Sequence, residues 1–314
     1  MRFFFSNHPT PRIIIPDVSG VLYDTRGFGK VPAIFASRIL QEGRKKKGRS
    51  TMNGEGKEKG KSDVPPKPSW EKIANQPQRI RVCKNGPYQC SGGIPLSVQR
   101  IVLDKDGFSY EWKEEEKFPG QDQYLLCRCG RSGTRPFCDG IHKEIHFIGT
   151  EHASREPYIK QATRYEGPNL VLTDAEILCS VAKFCERAGG IWNLTRESAN
   201  SEARAIAIQE AANCPSGRLM VWDKETGQPI EPVFQPSIGL VEYPQEGMSG
   251  PVWVRGGIPV ISDDGWVHEI RNRATLCRCG HSFNKPFCDS SHLRFSSRSI
   301  IRAQVPMTRL SSRP

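Results

Sequence analysis

Leu126-Cys127-Arg128-Cys129-Gly130 returns later in the chain as Leu276-Cys277-Arg278-Cys279-Gly280, and Pro136-Phe137-Cys138-Asp139 returns as Pro286-Phe287-Cys288-Asp289. Upstream of each, Gly86-Pro87-Tyr88-Gln89-Cys90-Ser91-Gly92-Gly93-Ile94-Pro95-Leu96 is echoed by Gly250-Pro251-Val252-Trp253-Val254-Arg255-Gly256-Gly257-Ile258-Pro259-Val260. Self-similarity of this length means that one structural unit occurs twice. Its first half alternates apolar and polar residues between glycine turns, the pattern of short antiparallel strands. Cys90 stands where the second copy has Val254, so it reads as a small apolar core residue and not as a ligand.

Each copy then sets out the same donors at the same spacing: Cys127, Cys129, Cys138 and His142 in the first, Cys277, Cys279, Cys288 and His292 in the second. Two cysteines separated by one residue bind one iron or neighbouring points of a cluster, and a Cys and His four apart share one face of a helical turn. Thiolate and imidazole suit both iron and zinc. By count alone, three cysteines and a histidine make an ordinary closed zinc site. The single residue between the first two cysteines argues the other way, since zinc motifs usually open with two or more.

The residues between the donors resemble the CDGSH (NEET) iron–sulfur family, whose pattern is C-x-C-x2-[ST]-x3-P-x-C-D-G-[SAT]-H. The first copy departs from it only at Ile141 and the second only at Ser290, and neither departure removes a donor. The resemblance covers about 17 residues in each copy. It implies a [2Fe–2S] cluster in each, with Cys127 and Cys129 on the inner iron and Cys138 and His142 on the outer one. Cys277, Cys279, Cys288 and His292 repeat the scheme. Histidine ligation implies a potential above that of an all-cysteine cluster and a ligand that protonates near physiological pH. Single-motif members assemble as dimers, so two motifs in one chain imply an internal pseudo-dimer sharing a β layer. Asp139 and Asp289 are expected to cap the turn after the third cysteine.

Between the copies, Thr173-Asp174-Ala175-Glu176 reads as a capping box opening a helix through Leu178, Val181, Ala182 and Cys185, and a second helix is expected from Ser201 to Asn213. Cys179, Cys185 and Cys214, the last followed by Pro215, resemble the cysteine frame of divergent single-cluster ferredoxins, with Ala182 where a further cysteine would stand. Three thiolates at this spacing imply either a third cluster, [3Fe–4S] or [4Fe–4S] with a non-cysteine ligand, or a ferredoxin-like fold that keeps three buried cysteines without one. Cys83 belongs to no pattern.

Composition bounds the rest. Residues 1–62 hold 13 Lys and Arg against 5 Asp and Glu, which accounts for 8 of the 11 excess positive charges in the 314-residue chain. The charge therefore belongs to an N-terminal segment, and a nucleic-acid groove, which needs it on the folded part, is not expected. Low apolar content and the Gly/Lys/Glu-rich run make residues 1–67 read as a disordered basic tail, either a transit peptide over 1–51 or sequence ahead of a true start at Met52. No run reaches the about 20 apolar residues of a membrane span. Eleven clustered cysteines fit metal chemistry in a reducing compartment, the cytoplasm or an organelle matrix. The expected architecture is α+β: a CDGSH domain at 68–148, a divergent ferredoxin-like module at 149–235, a second CDGSH domain at 236–298 and a tail at 299–314. The expected function is electron transfer or iron–sulfur cluster storage and transfer by a monomer, with a redox partner protein or cluster acceptor. No catalytic group is recognised. The alternatives are an electron-relay subunit of a redox enzyme and a structural zinc protein.

Overall fold

Glycine pairs at the end of a strand decide how the two copies meet. In a computed structural model, residues 76–243 and 247–295 are described, together with two short strands, β1 (Ile14–Pro16) and β2 (Leu22–Asp24), which pair antiparallel. Apart from these strands, the basic segment at 1–67 and the tail at 299–314 lie outside the described residues.

The first copy contributes β3 (Arg79–Val82), β4 (Tyr88–Ser91), β5 (Leu96–Leu103), β6 (Ser109–Lys117) and β7 (Gln123–Leu126). The middle segment contributes β8 (Thr163–Glu166), β9 (Leu170–Asp174), β10 (Leu219–Asp223) and β11 (Pro229–Ile230). The second copy contributes β12 (Ser237–Tyr243), β13 (Met248–Arg255), β14 (Val260–Ile261) and β15 (Arg273–Leu276). Helices are few and short, the longest being Ser201–Asn213, so the chain is mixed α and β with sheet predominating.

Three strands of each copy form an antiparallel sheet, as the alternation predicts. The fourth crosses over. Gly92 and Gly256 turn the chain out of β4 and β13 with φ of +88° and +74°, and a Cβ would stand 2.2 Å from the Pro77 carbonyl oxygen in one case and 2.5 Å from the Pro236 nitrogen in the other. Only glycine passes there. β5 then adds in parallel to β12 of the second copy, and β14 adds in parallel to β3 of the first. The sheets run β14-β3-β4-β7 and β15-β13-β12-β5-β6. Registers match: Ile80 lies between Cys90 and Val260, and Ile238 between Val254 and Leu96. These parallel pairings were not foreseen from the sequence. A single core joins both sheets, with Ile80, Val82, Tyr88 and Leu96 packed among Ile238, Leu240, Val252 and Val254. Cys90 is fully buried within it, as a core residue should be.

The middle segment lays the helix Ser201–Asn213 on the sheet β11-β10-β9-β8. Ala203, Ala207 and Ala211 form its buried stripe against Leu170, Leu172, Leu219 and Val221. Asn200 caps it, accepting from the backbone N–H groups of Glu202 and Ala203. The helix expected from Thr173 does not form. Thr173 and Asp174 belong to β9 and pair with β10; the Thr173 hydroxyl is engaged by Tyr158 and Trp222, and the Asp174 carboxylate grips Arg218 at 2.5 and 2.9 Å. With the Thr173 hydroxyl taken and Asp174 held in the strand, residues 176–189 form short 3-10 turns separated by a loop in which Val181 and Lys183 take left-handed backbone angles.

The two motif loops touch at their first glycines. A Cβ on Gly130 would stand 2.5 Å from the Cys279 carbonyl oxygen, and one on Gly280 would stand 2.6 Å from that of Cys129. Gly140 has a similar positive φ but open space around it. Gly130→Ala is therefore expected to lower unfolding free energy by more than the about 1–2 kcal/mol of left-handed strain that Gly140→Ala incurs. Urea unfolding of the two variants side by side measures the difference.

Candidate metal centres

Each motif is a loop folded back on the strand before it. Cys127 N–H donates to the Pro136 carbonyl at 2.9 Å and Cys138 N–H to that of Leu125 at 2.9 Å. In the second copy Cys277 donates to Pro286 and Cys288 to Thr275, both at 2.8 Å. The hydroxyls of Ser132 and Ser282 donate to the carbonyls of Phe137 and Phe287 at 2.6 and 2.7 Å. Asp139 accepts from Gly133 and Ile141, and Asp289 from Phe283 and Ser291, so each aspartate caps its turn as expected and also ties the loop across. The Cys–His pair is thus placed by a capped turn, and helix begins only at His292 in the second copy. Ser290, at the family's glycine position, sits at φ +70°.

These bonds bring the donors together in pairs. Cys127 and Cys129 have their sulfurs 3.7 Å apart, and the Cys138 sulfur lies 3.3 Å from Nδ1 of His142. The second copy repeats this at 3.7 Å for Cys277 and Cys279 and 3.5 Å for Cys288 and His292. A tetrahedral ion with bonds of about 2.0–2.3 Å spans about 3.5–3.8 Å between two donors. Each pair therefore fits two corners of one such ion. Among the described residues no three His, Cys, Asp or Glu side chains group around one ion.

The electrostatics favour one thiolate in each Cys-x-Cys pair, with the partner thiols Cys129 and Cys279 pushed up. The Cys127 thiol is pulled down by the hydrogen bond from Cys129, against burial, and then by backbone N–H groups of Ser132, Gly130 and Arg131. Cys277 is pulled down in the same way by Cys279, with Ser282 and Gly280. Cys138 and Cys288 are pushed up by burial, so an ion must supply the charge that stabilises them as thiolates. Burial, and secondly the Arg278 charge, lowers the His292 pKa to about 4, which keeps that imidazole in the neutral form that ligates metal.

Residues 85–143 and 249–293 match the family described as iron-binding zinc finger, CDGSH type. Residues 165–224 match the one described as divergent 4Fe-4S mono-cluster. The chain carries two CDGSH-type segments around a divergent 4Fe-4S segment. No curated protein and no solved structure matches it.

Within the divergent segment, Cys179, Cys185 and Cys214 line one small pocket, with Ala182 at its wall and Arg218 beside it. Burial, then the charges of Cys214 and Cys179, pushes the Cys185 thiol up; burial also raises Cys179, opposed by the Arg218 charge. A Val181 N–H donates toward the Cys179 sulfur, which the left-handed turn makes geometrically available.

Several supporting residues escaped the sequence reading. Arg128 and Arg278, the residues inside each Cys-x-Cys, are buried: Arg128 donates to the Gly149 carbonyl at 2.5 Å, and Arg278 pairs with Glu242 at 2.9 Å. Their identity in both copies was the available signal. Tyr88 gave none, because its counterpart is Val252. Its buried hydroxyl donates to the carbonyl of Cys277 at 2.7 Å and to that of Pro286 at 3.1 Å, so a strand of the first copy supports the second site. Tyr88→Phe leaves the Cys277 carbonyl without that donor and is expected to cost about 1–3 kcal/mol. Thermal unfolding measures the loss, and Val252→Ala, which breaks no such bond, is the comparison for packing alone.

Proposed function

We propose that each CDGSH-type segment holds a [2Fe–2S] cluster, through Cys127, Cys129, Cys138 and His142 and through Cys277, Cys279, Cys288 and His292, and that the protein carries electrons or clusters to a protein partner without catalysing a reaction of its own. The observation that carries this reading is the pairing of donors. A binuclear cluster needs two donors on each iron, and each motif presents a Cys–Cys pair and a Cys–His pair. When bound, such a cluster supplies one-electron redox chemistry. The residues around it hold Nδ1 of the histidine toward the cysteine sulfur, direct backbone N–H groups at Cys127 and Cys277, and keep His292 neutral.

The exchanged strands β5 and β14 support an internal pseudo-dimer, in which one chain supplies both halves of a shared β layer and acts as a monomer. The helix-on-sheet middle segment, with three cysteines around one pocket, supports a ferredoxin-like insert and a third cluster, [3Fe–4S] or [4Fe–4S] with a non-cysteine ligand. Eleven unpaired cysteines fit a reducing compartment, the cytoplasm or an organelle matrix. No helix among the described residues is long and apolar enough to cross a membrane.

Anaerobic purification with iron and sulfide counting tests this. About four iron and four sulfide per chain are expected from the two outer sites, with about three or four more iron and about four more sulfide if the middle pocket is filled. EPR of the reduced protein then separates the cluster types. A colourless protein with zinc and neither iron nor sulfide would overturn the reading in favour of a structural zinc protein.

A further inference from the structure

We infer that the two three-cysteine, one-histidine sites have different jobs: the first exchanges its cluster with an outside acceptor, and the second is sealed beneath the middle segment and retains what it holds. This rests on the cluster reading above.

Cys138 and His142 are both half-buried, whereas Cys288 and His292 are 3% and 2% exposed. The covering of the second site comes from outside its own motif. The Tyr243 ring stacks on His292 with centroids 5.5 Å apart and planes 17° apart, and its hydroxyl donates to the Ser180 carbonyl at 2.5 Å. Ser180 follows Cys179 in the middle pocket. Asn284 donates to the Ile177 carbonyl at 3.4 Å. The N–H groups of His152 and Ala153 both reach the Lys285 carbonyl, at 2.8 and 2.9 Å. Three separate stretches of chain thus strap the second loop. In the first loop the hydrogen bonds of residues 131–136 run within the motif, and Lys143, Glu144, Ile145 and His146 beside His142 are exposed.

Exchange proceeds ligand for ligand, so an incoming donor must reach Cys138 and His142, or Cys288 and His292. At the first site it approaches directly; at the second the straps must open first, and opening of packed segments carries its own free-energy cost. With EDTA as acceptor, its carboxylates and amines replace thiolate and imidazole on ferric iron with no change of oxidation state. The sulfides leave as hydrogen sulfide, and the freed thiolates take protons from water.

The test uses the full chain, purified anaerobically, with iron and sulfide counted first. EDTA is added and bleaching of the visible absorbance is followed. The two outer sites are expected to give two phases of similar amplitude, the second slower by about tenfold or more, and any phase from the middle pocket is told apart by the iron count and EPR. Iodoacetamide added after the fast phase, followed by peptide mass spectrometry, should label Cys138 and leave Cys288 unlabelled, an assignment that needs no variant. Tyr243→Leu should speed the slow phase and leave the fast one unchanged, and Tyr243→Phe, which keeps the ring, should speed it less. One common rate, or Cys288 labelled with or before Cys138, would overturn the inference. Protein without iron and sulfide before EDTA is added would instead overturn the cluster reading on which it rests.

Discussion

The parallel pairings of β5 with β12 and of β14 with β3 are what the rest of the molecule depends on. Without them each three-stranded sheet would end in an open edge carrying unpaired backbone groups. Exchange closes both edges at once and forces the two sheets to share one apolar core, so neither copy is complete alone. The sites follow from this. Each motif loop hangs from the last strand of its sheet, and the exchange sets the two loops against each other at Gly130 and Gly280. Glycine is needed there because the carbonyl of the opposite Cys-x-Cys segment occupies the space of a side chain.

A duplicated unit need not stay symmetric, and two departures here favour the second site. Tyr88 of β4 reaches across to the Cys277 carbonyl, while Val252 in the matching strand has no polar atom to return the contact. Arg278 finds the half-buried carboxylate Glu242, whereas Arg128 meets only backbone carbonyls and the faces of Tyr88 and Phe147, with its buried Nε left without a hydrogen-bond partner. The shared scaffold fixes donor geometry in both copies. The residues that differ decide how each is covered.

Repetition made the donors legible. Cys127, Cys129, Cys138, His142 and their counterparts could be named because the same spacing occurs twice, and the strands around Cys90 could be read from alternation. Helix Ser201–Asn213 was legible because its stop at Cys214-Pro215 is a local signal. The Thr173–Cys185 stretch misled because a capping box is also local, and partners remote in sequence decided otherwise: Tyr158 and Trp222 claimed the Thr173 hydroxyl, and Arg218 held Asp174 in the strand. Strand exchange was out of reach for a related reason. Two equal copies look the same in sequence whether each keeps its own fourth strand or trades it.

Arg273 ties the middle segment to the second motif. This buried residue opens β15, the strand that leads into Cys277, and donates to the carbonyls of Ala211, Ala212 and Cys214 at the C-terminus of helix Ser201–Asn213. A guanidinium at that position satisfies carbonyls that the helix leaves unpaired and meets the negative end of its dipole. It also fixes the Cys214 wall of the middle pocket to the strand that carries the second motif, while Tyr243 ties His292 to the Cys179 wall. Two ties, one through Arg273 and one through Tyr243, thus hold the three-cysteine pocket against the second motif, so the spacing between the two is set by packing and not by either loop alone.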